Sequence, residues 1–183
     1  MKLKKANALL AILTMATLVI HAGYQSIAYI LFFHDTMISF ILGKVITVSV
    51  LCHIILSVII VLVLHDSKTI SYPGQNIKII LQRISAVGIG AHLLAHTHSF
   101  EKLLASFGTH VYILTEIMQI IYFAFLFIHI GTSLTNAFIT LGCLDDIDKK
   151  KKIDHVIWVV CGIFFVGISI LIPTVRLKLF SMM

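Results

Sequence analysis

The sequence predicts an all-α membrane protein with five transmembrane helices. Three observations predict it. Of 183 residues, 59% are hydrophobic and 12% are charged, which is more apolar surface than a soluble domain of this size buries. The apolar residues gather into five stretches, each long enough to cross ~30 Å of hydrocarbon at a helical rise of ~1.5 Å per residue. The basic residues stand at the ends of these stretches and not on one folded face. The formal charge of +6 therefore reads as a topology signal, not as a nucleic-acid surface.

The first span covers about 7–33. Its start, Met1-Lys-Leu-Lys-Lys5 and an apolar run, has the charges of a signal peptide. The run continues past an h-region of about 7–15 residues, and Ile20-His21-Ala22 is a poor cleavage site, so an uncleaved span is expected. The other spans are about 42–64, 77–98, 111–141 and 154–175. The connections are His34 to Ile41, His65 to Asn76 with its Tyr72-Pro-Gly turn, Ser99 to His110, and the charged Asp145 to Lys152. The five spans make one transmembrane domain, residues 1–183. Cys52, Cys143 and Cys161 form no CxxC and no pairing pattern, and read as small buried hydrophobes.

Counting cations fixes the orientation. Lys2, Lys4 and Lys5, then Lys68, Lys78 and Arg83, then Lys149 to Lys152 fall on one side, against Lys44, Lys102, Arg176 and Lys178 on the other. The cation-rich side is cytoplasmic, which puts the N-terminus inside and the C-terminus outside.

Imidazoles inside spans are costly and mark function by default. His21, His53, His92 with His96, and His129 lie on four consecutive spans. From the helical rise, His21 lies roughly 20 Å and His96 roughly 24 Å above the inner edge of the hydrocarbon, with His53 and His129 in the inner half. An outer pair, His21 with His96, and an inner pair, His53 with His129, suit two bis-histidine b haems stacked in a four-helix bundle. His92 and His96 share a helix face, and by position either one can ligate. Small residues near them, Ala8, Ala11, Ala16, Gly88, Gly90, Ala91, Gly131, Thr132 and Ser133, leave room for a porphyrin and serve helix packing equally. His34, His65, His98, His110 and His155 sit at span ends.

Arg83 either snorkels to the inner surface or clamps an inner-haem propionate. Glu116, about five residues into the fourth span, is either paired or titrates. As a proton-transferring group it would serve an outer quinone site, with His34, Asp35, His98 and Glu101 leading to water.

These residues, taken in order, resemble the dihaem cytochrome b membrane anchor of succinate:menaquinone oxidoreductases and fumarate reductases, the five-helix, single-chain type. Asn7 stands fourteen positions before His21, as a small polar residue does before that family's first ligand. Leu51-Cys-His53-Ile-Ile-Leu-Ser57 resembles the second-ligand motif. Gln82-Arg83-Ile-Ser85, with a histidine thirteen after the arginine, is similar to the start of the third-ligand helix, and that spacing selects His96 over His92. Phe127-Ile-His129 through Ile139-Thr-Leu-Gly142 is similar to the fourth-ligand segment. Ala86 stands where the family has glycine, Thr132-Ser133 where it has Asn-Gly, and the connection between the first two spans is short.

The resemblance implies an electron-transferring anchor in a bacterial cytoplasmic membrane. It implies two haem b groups on His21, His96, His53 and His129, with Arg83 and Ser85 in cofactor binding and His92 as the alternative contact. It implies menaquinone near the outer surface, and flavoprotein and iron–sulfur partners on the cytoplasmic side. The chain would then carry the quinone site and not the dicarboxylate site. The alternatives are a dihaem quinol-oxidising anchor for another flavoprotein, and a haem-free transporter or structural membrane protein. The expected topology is checked by labelling single cysteines from outside the cell. Positions 149–152 should stay unlabelled and position 178 should react; the reverse pattern inverts the orientation.

Overall fold

A computed structural model of the chain describes residues 2–31, 35–63, 73–97 and 110–181. They form five helices, α1 Lys2–Ile30, α2 Thr36–Val63, α3 Pro73–Thr97, α4 His110–Leu141 and α5 Ile147–Ser181. Among the described residues there is no strand. Four stretches are long and apolar enough to cross a membrane: Lys2–Gln25, Thr36–Leu62, Ile117–Leu141 and Ile147–Thr174. The chain is thus an all-α, multi-pass membrane protein. Leu62, Met37, Val87 and Ile163 are all more than 60% exposed, as side chains bathed in lipid are. The third crossing rests on the sequence reading of residues 77–98.

Four helix starts come earlier than the hydrophobicity pattern predicts: α1 begins at Lys2, and the other three have a local reason. Helix α2 begins at Thr36 because the Asp35 carboxylate accepts the N–H groups of Met37 at 2.9 Å and Ile38 at 3.0 Å. Those are first-turn donors that helix geometry leaves without partners. That carboxylate is thus a helix cap. Helix α3 starts at Pro73, within the expected turn, since proline has no N–H to lose at the first helical position. Helix α5 starts at Ile147, with Asp146 Oδ1 accepting the Asp148 N–H at 2.9 Å. Lys149 to Lys152 are consequently helical and not part of a loop.

The end of α4 agrees with expectation. Gly142 has φ 84°, a left-handed conformation that glycine adopts without steric cost. Its N–H donates to the Ile139 carbonyl at 3.0 Å, and the Cys143 N–H donates to Phe138 at 2.9 Å. This paired closure satisfies carbonyls that the helix end would otherwise leave open. Cys161 is buried as expected, but Cys52 and Cys143 are exposed: Cys52 lies outside the α1–α2 contact, and Cys143 follows the α4 cap.

The chain divides into two compact units, Met1–Thr69 with Leu134–Lys150, and Ile70–Ser133 with Lys151–Met183. In the first, α1 and α2 pack antiparallel with Ala8, Ala28 and Ile46 buried. In the second, α4 runs antiparallel to both α3 and α5. His92 stacks on Tyr122 with ring centroids 4.2 Å apart, and Phe127 meets Phe165 edge-on at 6.3 Å. A Cβ on Gly88 would clash with the Phe125 ring, and one on Gly131 would lie 2.8–2.9 Å from the Trp158 indole. Gly88 to alanine should therefore destabilise by about 1–3 kcal/mol, the usual range for overpacking. Phe125→Leu should recover part of that loss. Gly43→Ala, with nothing within 4 Å of the added carbon, is the neutral control. Unfolding in mixed micelles measures all three.

Candidate functional site

The polar residues of α1 and α2 meet along one seam. Ser57 Oγ donates to Asn7 Oδ1 at 3.3 Å, and Thr14 Oγ1 to the Ser49 carbonyl at 3.3 Å. Gln25 Nε2 donates to Ser39 Oγ at 3.1 Å, and the Asp35 N–H to the Tyr24 hydroxyl at 3.1 Å. Asn7 and Ser57, which the sequence marks as the small residues flanking His21 and His53, are thus bonded to one another.

His21 follows Thr14 by seven residues and precedes Gln25 by four; His53 lies four residues from both Ser49 and Ser57. Both therefore fall on the seam. Each is half-buried, with its Nδ1 atom buried. The antiparallel offset puts His21 level with Gly43 and His53 level with Ala11, roughly 15 Å apart along the helix axes. Gly43 is half-buried, and the space at its Cβ position is open for 4 Å. The hairpin thus holds two imidazoles at two depths, with room beside the first.

In the second unit the polar face of α3 carries Gln82, Ser85 and His92, three and seven residues apart. Ser85 is 1% exposed, and its hydroxyl donates to the Gln82 carbonyl at 3.0 Å. His129 of α4 brings Nδ1 to the same carbonyl at 3.1 Å and to Ser85 Oγ at 3.3 Å. Its own carbonyl accepts from Thr132 Oγ1 at 3.1 Å and from Ser133 Oγ. The ring is thus anchored through Nδ1 and the main chain through its oxygen. With Nδ1 donating, Nε2 carries the lone pair, the arrangement found in metal-ligating histidines.

Arg83 points the other way. It is exposed among Ile80, Ile84 and Val87, and among the described residues it has no ion-pair or hydrogen-bond partner. His92 lies flat on Tyr122, 21° from parallel. The side chains of His96 and Glu116, and residues His34, His65, His98 and Glu101, lie outside the described residues. The α3–α4 register carries residue 96 to the level of residue 117, within one residue of position 116.

The expectation that small residues leave room for a porphyrin is corrected at two positions. The space at Gly88 is filled by Phe125 and that at Gly131 by Trp158, so these glycines serve close helix packing. Among the described residues no cluster of three or more His, Cys, Asp or Glu side chains could hold a metal ion; a bis-histidine haem takes two protein ligands.

Sequence reasoning missed two contacts. Tyr122 gave no signal as the platform for His92, since the match emerges only from the α3–α4 register. Lys78, read as a topology cation, ion-pairs with both oxygens of Asp154 on α5, at 2.7 and 3.0 Å. Comparison with protein-family models, with curated proteins and with solved structures returns no match. The Lys78–Asp154 pair, with side chains 40% and 24% exposed, should contribute no more than about 1 kcal/mol. Asp154→Asn should lower unfolding stability within that range, and the swapped pair Lys78→Asp with Asp154→Lys should restore it. A swap that fails to recover stability would show the contact to be incidental.

Proposed function

We propose that this chain is a haem b-binding membrane anchor that passes electrons between a cytoplasmic iron–sulfur subunit and menaquinone, of the kind that serves succinate dehydrogenase or fumarate reductase. The observation that carries the reading is the α1–α2 seam, where His21 and His53 are held at two depths on one polar face, with open space at Gly43. Two stacked centres need two such levels. The anchored His129 adds a third imidazole prepared to ligate, and His96 is the fourth by motif spacing. The pairing of His53 with His129 rests on their depths in the sequence, as does the bundle of the first four helices; His92 matches His21 in depth slightly better than His96 does, and the motif spacing of the resemblance selects His96.

Bound haem would supply one-electron transfer across the bilayer. The chain's own groups have the other tasks. Imidazole nitrogens would hold the haem iron, and the Gln82 carbonyl, 3.1 Å from His129 Nδ1, would keep one ring in the tautomer that leaves Nε2 to a metal. Arg83 offers a planar cation to an anion from outside the chain, which in this reading is a propionate. Glu116 moves protons at the quinone. The N-terminus, residues 65–76 and the lysines of early α5 form the cytoplasmic face on which flavoprotein and iron–sulfur partners dock.

A second reading has its own observation. Phe125 and Trp158 fill the glycine notches of the second unit as they would in a haem-free helical membrane protein. A reduced-minus-oxidised spectrum of the purified protein separates the two. The proposal expects low-spin haem b bands and two haems per chain. His21→Ala, His53→Ala, His96→Ala and His129→Ala should each lose one haem or turn it high-spin, while His92→Ala keeps both. A protein without haem bands ends the cytochrome reading; loss in His92→Ala with retention in His96→Ala reassigns the third ligand.

A further inference from the structure

The Gln82 carbonyl has more donors around it than lone pairs. The helix brings the Ala86 N–H to it, Ser85 Oγ lies 3.0 Å away and His129 Nδ1 3.1 Å away, yet a carbonyl oxygen offers two lone pairs. Ser85 Oγ is also 3.3 Å from Nδ1. A hydroxyl both donates and accepts, so the three groups support two neutral arrangements. In one, Nδ1 is protonated and donates to the Gln82 carbonyl, Ser85 turns its proton to that carbonyl as well, and Nε2 carries the lone pair. In the other, Ser85 turns its proton to a bare Nδ1, and the ring proton sits on Nε2.

We propose that Ser85 is the positioning residue of His129, its hydroxyl rotating so that Nδ1 stays hydrogen-bonded whichever ring nitrogen holds the proton. This replaces the expected role of Ser85 as a direct cofactor contact. At 1% exposure, with its oxygen between Gln82 and His129, the side chain works through the imidazole. The inference deepens the cytochrome reading and rests on it for its purpose: the ring can wait with its proton on Nε2 and shift it to Nδ1 when Nε2 takes a metal. Without the hydroxyl, a bare Nδ1 would face only the carbonyl's lone pairs, and that tautomer would be disfavoured.

The test uses the full chain in micelles, with and without haem. Nitrogen-15 spectra of the haem-free protein, with the His129 signals assigned by their loss in His129→Gln, give the tautomer ratio. Ser85→Ala should lower the Nε2–H share about five- to tenfold, the effect of one buried hydrogen bond, and Ser85→Thr should restore it. In the haem-loaded protein, where Nδ1–H and the Ser85 hydroxyl share the Gln82 carbonyl, Ser85→Ala removes the competing donor and strengthens the bond from Nδ1–H. It should therefore lower the midpoint potential of one haem only and leave both low-spin. A tautomer ratio unchanged in Ser85→Ala overturns the proposal even where haem spectra are intact. A shifted ratio in a protein that binds no haem keeps the positioning role and ends the cytochrome reading instead.

Discussion

In hydrocarbon a polar group has only the protein to bond to, and that constraint orders this chain. Thr47, Thr132, Thr140 and Thr174 each donate to the carbonyl four residues back, at 2.7–2.8 Å. Asn7, Thr14 and Gln25 of α1 bond across the seam to Ser57, Ser49 and Ser39 of α2. Helix α3 shows the same rule beside a helix with polar groups of its own. Gln82, Ser85 and His92 lie on one face and turn toward α4, where His129 and Tyr122 receive them. Arg83, on the opposite face, has no such receiver among the described residues.

Lipid tails are as apolar as leucine, so burial alone does not drive these helices together; close fit and hydrogen bonds do. Gly88 and Gly131 admit an aromatic ring to contact with the backbone. Tyr122, Phe123, Phe127 and Phe165 continue as a row of rings with neighbouring centroids 5.4–6.3 Å apart. The same small residues look like cofactor clearance when only their position near histidines is known. What distinguishes the two uses is whether a neighbouring ring fills the notch, as at Gly88 and Gly131, or leaves it open, as at Gly43.

Charge is handled at the ends. The start of α5 puts four lysines near the positive end of a helix dipole, an unfavourable placement by itself. Asp146 and Asp148 offset it locally, and Asp154 further along takes Lys78. The lysines keep their value as a topology signal because that bias depends on cations near a span end and little on nearby acids.

The sequence by itself determined that the chain is all-α and membrane-embedded, since span length and apolar content follow from composition and helical rise. It determined the end of α4 at about residue 141, because the apolar run stops there, and it singled out the histidines, because imidazoles are costly in lipid. It missed the starts of α1, α2, α3 and α5; at the last three, Asp35 and Asp146 accept backbone N–H groups and Pro73 has none to lose, features to which a hydrophobicity pattern is blind. Only tertiary structure decided which polar residues face one another. Asn7 meets Ser57, His92 meets Tyr122, and Ser85 and His129 share the Gln82 carbonyl, because antiparallel register sets depth and phase between helices. Spacing along one helix specifies a face, but the partner of that face lies on another segment, at an offset that connecting loops and packing determine together.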